Sequence, residues 1–184
     1  IVRLGKGVFV KGTLDEEVLG RVLEVLFQYQ AKARELQVHH MCSVATSAVR
    51  EASNGKDFLV RVKRETGIDF RALTGAQEAR LLALALQWNR PAPSNLIYGG
   101  IDIGGGSTEI FWYTEQGYVD GISMPIGTVR VLENFCEYPL SEKAVGMVRS
   151  FVQANSQEFQ MRQGTMIPHR VFGISGLLHC IFDL

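Results

Sequence analysis

The spacing of apolar positions changes several times along this chain, and each change marks a new element. Residues 2–10 read as extended, with Gly12 turning the chain. Val18, Val22, Val25, Leu26 and Tyr29 then recur at helical spacing behind Thr13-Leu-Asp-Glu16. That capping-box pattern predicts Thr13 as the N-cap, with Glu16 reaching back, of a helix running to about Leu36. Val38–Val44 reads as a strand, and Ala45–Gly55 as a short helix closed by Asn54-Gly55. Phe58, Leu59 and Val62 define a further short helix ending at Gly67. Ile68–Leu73 reads as a strand, and Thr74–Arg90 as a strong helix rich in Ala and Leu.

After Pro91-Ala-Pro-Ser94 the pattern becomes that of a sheet. A strand enters the glycine-rich stretch at 100–109, a second leaves it through Ile110–Tyr113, and strands flank the Gln116-Gly117 turn. Pro125-Ile-Gly127 leads into a helix through about Glu133, and Ser141-Glu-Lys caps another with Val145, Val148 and Val152 along one side. Val171–Ile174 is a late strand before Ser175-Gly176 and a last apolar segment. Helix and strand alternate in both halves, which indicates α/β layers.

Composition refines this picture. The 184 residues are 46% apolar, enough for a real core in one large domain or two small ones. Net charge is zero but uneven: residues 1–94 carry 14 Lys and Arg against 10 Asp and Glu, and residues 95–184 carry 5 against 9. The sign changes at the proline linker, so the chain is read as two lobes, 1–94 and 95–184, and not as a general nucleic-acid binder. No apolar run approaches a membrane span, and no signal peptide is visible. Three widely spaced cysteines argue for a reducing, cytoplasmic setting. His39-His40-x-Cys42 lacks the second ligand pair that a structural zinc would need.

The chemistry concentrates in Gly100-Ile-Asp-Ile-Gly-Gly-Gly-Ser-Thr-Glu109. Three glycines between strands can serve only as a hairpin turn, because Gly supplies positive φ without steric cost. They can also offer bare backbone N–H groups to an anion. Asp102, Ser107, Thr108 and Glu109 favour the second reading, since a hairpin needs none of them. Two nearby carboxylates, Asp102 and Glu109, could hold a divalent cation or handle a proton. Alternation along the exit strand puts Ser107 and Glu109 on one face. The turn leads to a strand rather than a helix, and it lacks the P-loop lysine.

Arg50, behind Thr46 and Ser47, marks either an anion site at a helix start or a surface ion pair with Glu51. Arg61, Lys63 and Arg64 form a basic run that suits a polyanion or, more simply, a solvated helix face. Glu78 alone would be a first-turn carboxylate favoured by the helix dipole.

Four blocks carry a resemblance: Val44-Ala-Thr-Ser-Ala-Val-Arg-Glu-Ala-Ser-Asn-Gly55, Thr74-Gly-Ala-Gln-Glu-Ala-Arg80, Ile101-Asp-Ile-Gly-Gly-Gly-Ser-Thr-Glu109 and Ser123-Met-Pro-Ile-Gly-Thr-Val-Arg130. In this order and spacing the chain resembles the exopolyphosphatase/guanosine pentaphosphatase (Ppx/GppA) family of the actin–Hsp70–sugar-kinase superfamily. The resemblance implies an α/β, two-lobed actin-like (ribonuclease H-like) ATPase fold with mixed sheets flanked by helices. It also implies a fragment: the chain starts with Ile, after the family's first phosphate loop, and stops soon after Gly173-Ile-Ser-Gly176, where Leu177 replaces a usual Thr. The resemblance makes Glu78 the general base and Glu109 a second catalytic carboxylate or metal partner. It assigns Asp102 to Mg²⁺, and Gly104, Gly105, Gly106, Ser107, Thr108 and Arg50 to phosphate.

The implied reaction is Mg²⁺-dependent hydrolysis of the terminal phosphoanhydride of polyphosphate or pppGpp by a cytoplasmic enzyme, a homodimer when full-length. Alternatives are a truncated, non-catalytic phosphate- or nucleotide-binding piece, and an ATP-using sugar-kinase-like relative. Glu78 in its Glu-Ala-Arg context speaks against the kinase.

Overall fold

The computed structural model describes residues 2–89, 91, 93, 95–135, 139, 141–162 and 166–175. Cys136, Cys180, part of the proline linker and the segment from Gly176 onward lie outside the described residues. The chain forms two compact units, Ile1–Thr74 and Gly75–Leu184. Sequence divides the chain at the linker, where charge and proline content change. The packing division falls one helix earlier, because the helix 75–89 packs on the second sheet. Among the described residues no helix is long and apolar enough to cross a membrane.

The first unit contains α1 (Val8–Lys11), α2 (Glu16–Glu35), β1 (Ser43–Ala45), α3 (Ser47–Glu51), α4 (Gly55–Thr66) and β2 (Phe70–Ala72). β1 and β2 pair in parallel, Ser43 against Phe70 through Ala45 against Ala72. Their connection passes through α3 and α4, as a parallel pair requires. Leu19, Leu23 and Leu26 of α2 bury against Phe58 and Val62 of α4 and Ile68.

Four local expectations change in this unit. Residues 8–11 form a helical turn rather than a strand, bracketed by left-handed Gly7 and Gly12 with φ of 77° and 73°. Asp15, not Thr13, caps α2: its Oδ1 accepts from Glu17 N at 2.9 Å and Val18 N at 3.4 Å. Aspartate is the stronger cap, and its charge opposes the helix N-terminal dipole. Of the expected 38–44 strand only Ser43 and Val44 join a ladder among the described residues, continued by Ala45, and Val38 and Met41 are about half exposed. Alternation predicts a strand only where a neighbour exists to pair with it. Asn54-Gly55 is a joint rather than a stop. The Asn54 amide brackets Leu14, donating to its carbonyl at 3.0 Å and accepting from its N–H at 2.8 Å, and Gly55 opens α4. Gly67 does end α4 in the left-handed conformation, with φ 72°. The basic run of α4 is paired: Arg61 with Glu16 and Glu65, Lys63 with Asp69, Arg64 with Glu65. It is a solvated ion-paired face rather than an open basic patch.

The second unit contains α5 (Gly75–Asn89), β3 (Tyr98–Ile103), β4 (Thr108–Thr114), β5 (Gly117–Met124), α6 (Thr128–Phe135), α7 (Glu142–Asn155), α8 (Gln157–Arg162) and β6 (Arg170–Gly173). Its sheet has the order β5-β4-β3-β6, antiparallel except for the parallel β3–β6 pair. Ser141 caps α7 as expected, accepting from Ala144 N at 3.1 Å. Strand alternation sends Glu109, Phe111 and Tyr113 to one face. There α5 covers the two aromatics with Ala79 and Ala83, small enough to let the helix approach closely. Tyr98 meets Tyr113 edge to face at 5.7 Å.

Gly100, opposite Phe111 in the ladder, leaves room for that fully buried ring: a Cβ there would fall 2.2 Å from Phe111 Cζ. Gly100→Ala is therefore expected to destabilise the fold by about 1–3 kcal/mol through overpacking. A urea midpoint equal to wild type would contradict this.

Candidate active site

The glycine stretch is the loop between β3 and β4. Ile103 pairs with Thr108, and Gly104 N donates to Ser107 O at 2.9 Å, closing residues 104–107. None of its three glycines takes a left-handed φ. The plain hairpin reading needed that conformation, so the glycines serve close approach instead. Gly105, for example, has the Val129 side chain 3.2 Å from where a Cβ would lie.

The hydrogen bonds of this loop are one-sided. Gly104 O accepts from Thr128 N at 3.0 Å, Gly105 O from Val129 N at 2.8 Å and Arg130 N at 3.1 Å. Gly106 O accepts from Arg130 Nε at 2.7 Å. Among the described residues the N–H groups of Gly105, Gly106 and Ser107 make no hydrogen bond. An unpaired N–H is costly unless something accepts from it, and three neighbouring donors, two of them on glycines without a Cβ screen, suit an anion.

The acidic residues converge on the same end of the sheet. Asp102 and Glu109 are direct partners across β3 and β4, and Glu109 pairs with Ser123 across β4 and β5. Glu109 is 1% exposed and accepts from Ser123 Oγ at 2.6 Å. Burial pushes its carboxyl above the usual range; the charges of Glu78 and Asp102 act in the same direction. The Ser123 and Ser107 hydroxyls partly oppose this. Asp102 is half-buried, and burial likewise raises its pKa.

Glu78 reaches this group because α5 starts on it. Gly75 packs so closely on Ser123 that a Cβ would fall 2.3 Å from Ser123 Cβ. One helical turn later stands half-buried Glu78. Thus Glu78, from an earlier element of the chain, joins Asp102, Ser107 and Glu109 of the β3–β4 turn in one site. Thr108 faces elsewhere: its hydroxyl donates to Ile126 O at 2.5 Å, tying the loop to the segment before α6. Arg50 lies in the first unit, where it donates to Leu73 O at 2.8 Å, binding α3 to the end of β2.

Among the described residues no three His, Cys, Asp or Glu side chains converge to enclose a metal. The Asp102 carboxylate makes no hydrogen bond or ion pair among the described residues. One unpartnered carboxylate fits a cation that keeps most of its own water, as Mg²⁺ does, rather than a closed cage.

Ser123, Gly75, Gly127 and Arg130 are assigned no part of the site chemistry in the sequence reading, although all four lie in the quoted blocks, Gly75 second in the Glu78 block and the other three in the last. Only the β4–β5 register, which no motif spells out, places Ser123 beside Glu109.

Known proteins match this chain along most of its length. The profile of the family described as "Ppx/GppA phosphatase family" matches residues 1–184. Exopolyphosphatase 1 of Mycobacterium tuberculosis is 28% identical over 159 residues, covering 85% of this chain and 46% of that protein. An exopolyphosphatase structure from Cytophaga hutchinsonii superposes with TM-score 0.88 and 29% identity over 99% of this chain and 58% of the other. An Aquifex aeolicus Ppx/GppA structure gives TM-score 0.73 and 31% identity over 96% and 56%. The chain spans just under half the length of the Mycobacterium enzyme.

Proposed function

The chain belongs to the Ppx/GppA phosphatase family, with its mixed α/β, actin-like fold, and from that premise we propose that the 104–107 loop and its three carboxylates hydrolyse terminal phosphoanhydride bonds. Inorganic polyphosphate is the substrate class, in line with the relatives named exopolyphosphatase; pppGpp shares the same bond and is the finer alternative. The observation that carries the reading is the loop whose carbonyls are all engaged while three adjacent N–H groups are open.

In this reading the open N–H groups of Gly105, Gly106 and Ser107 bind oxygens of the terminal phosphate. They cost little reorganisation when charge develops, which is the main source of catalysis in phosphoryl transfer. Glu78 orients and deprotonates the attacking water. Glu109, buried behind it, accepts or shares that proton and repels a second negative charge at Glu78. Asp102 would hold Mg²⁺, which when bound neutralises phosphate charge. The full-length protein is read as a cytoplasmic homodimer.

The test is phosphate release by the full-length protein from polyphosphate, pppGpp and ATP, with Mg²⁺ or with chelator. Release from polyphosphate that needs Mg²⁺ is the expected result. Preference for pppGpp would redirect the substrate assignment, and release from none of the three would overturn the hydrolase reading.

A further inference from the structure

We infer that Arg130, together with the close approach of Gly127, is a positioning device that sets the direction of the loop's N–H groups. The inference rests on the reading of 104–107 as a phosphate site. A trans peptide is planar, with its C=O and N–H pointing opposite ways. The three peptide units that follow Gly104, Gly105 and Gly106 each send the C=O toward the start of α6. Geometry then turns the N–H groups of Gly105, Gly106 and Ser107 the other way, and these are the three that make no hydrogen bond among the described residues.

The same contact also uses up the first N–H donors of α6. Thr128, Val129 and Arg130 would otherwise be orphan donors at a helix start. Here the loop carbonyls cap them, so the helix terminus is not itself an anion site. Helix and loop thus fix each other, and what remains outward is the donor side of the loop.

Three features make this arrangement specific. Gly127 lies against the loop so tightly that a Cβ would fall 2.4 Å from Gly105 O. The last of the three units, whose N–H belongs to Ser107, is held by the Arg130 side chain rather than by backbone. Thr108 Oγ1 to Ile126 O closes the same junction from the strand side. Arg130 therefore governs one donor of three without touching substrate.

Arg130→Ala in the full-length protein frees that peptide to rotate, and an ordinary charge-assisted bond of this kind corresponds to about a tenfold effect. The dissociation constant for inorganic phosphate is expected to rise about tenfold, and kcat/KM on polyphosphate to fall about 10- to 100-fold. Arg130→Lys, which keeps the charge and a donor, is expected to recover part of both losses. Amide exchange of 104–107 should slow on adding phosphate to wild type, and slow less in Arg130→Ala. Wild-type phosphate affinity and wild-type protection in Arg130→Ala would overturn the positioning role while leaving the phosphate reading intact. No phosphate-dependent protection in wild type would overturn the phosphate reading itself, and this inference with it. Should Arg130→Ala fail to fold, Arg130→Lys with unchanged phosphate affinity and kcat/KM would overturn the positioning role.

Discussion

Glu78→Gln is expected to lower kcat on polyphosphate by about 10²–10⁴-fold while leaving phosphate binding close to wild type. Glu78 stands in the first turn of α5. The helix's buried contacts are Ala79 and Ala83, one and five residues beyond Glu78, and neither changes in this variant. Its start is fixed by Gly75 against Ser123. Gln keeps the size of Glu and its place one turn into the helix, so the loop donors and the sheet stay as they are. What is lost is the negative charge whose effect reaches buried Glu109. A base that no longer ionises cannot take a proton from water, whereas the N–H groups of the loop still bind phosphate. The decisive measurement pairs steady-state turnover with phosphate titration on one preparation. Turnover within tenfold of wild type would remove Glu78 from the proton chemistry. Loss of binding together with turnover would make its role structural.

How much of this was legible in the sequence depended on whether the cause was local. Gly67 ends α4, Ser141 caps α7, and the 75–89 helix and the strands around 104–107 follow their apolar periods. Those signals act within a few residues. The failures share a different origin. Thr13 matched a capping pattern, but Asp15 lay two residues on and caps the helix there instead, accepting from Glu17 N and Val18 N. Val38–Val44 alternated like a strand, yet strand formation needs a partner, which sequence alternation does not contain. Asn54-Gly55 looked like a helix stop because its actual partner, Leu14, is forty residues away.

The site divides in the same way. Asp102, Ser107 and Glu109 were legible because one turn holds them all. Glu78 was legible through a family resemblance, not through periodicity. Ser123 and Arg130 were not, since each acts through a partner defined by register or by loop packing. Glycine was informative about place but misleading about cause. The hairpin reading expected left-handed backbone at 104–106, and the loop uses its glycines for close packing and unpaired N–H groups.

Glu109→Gln is expected to stabilise the fold at neutral pH and at the same time cost about 10²-fold or more in turnover. Burial first, then the charges of Glu78 and Asp102, hold the folded pKa of Glu109 above its usual value. An unfolded glutamate titrates near about 4.3. Between that value and the raised folded one, the native state holds more protons than the unfolded chain. Stability therefore falls as pH rises through this interval, and the penalty is full above it. Glutamine never ionises, and its Oε1 can still accept from Ser123 Oγ. The variant should melt above wild type at pH 7–8, measured in chelator so that no cation at Asp102 offsets the repulsion. The gap should close as pH falls into the ordinary carboxylate range. A gap that does not vary with pH, or a variant that melts lower at pH 7–8, would contradict the electrostatic origin. Opposite signs for stability and turnover at one residue are what a working carboxylate predicts: the site keeps a buried charge that the fold alone would discard.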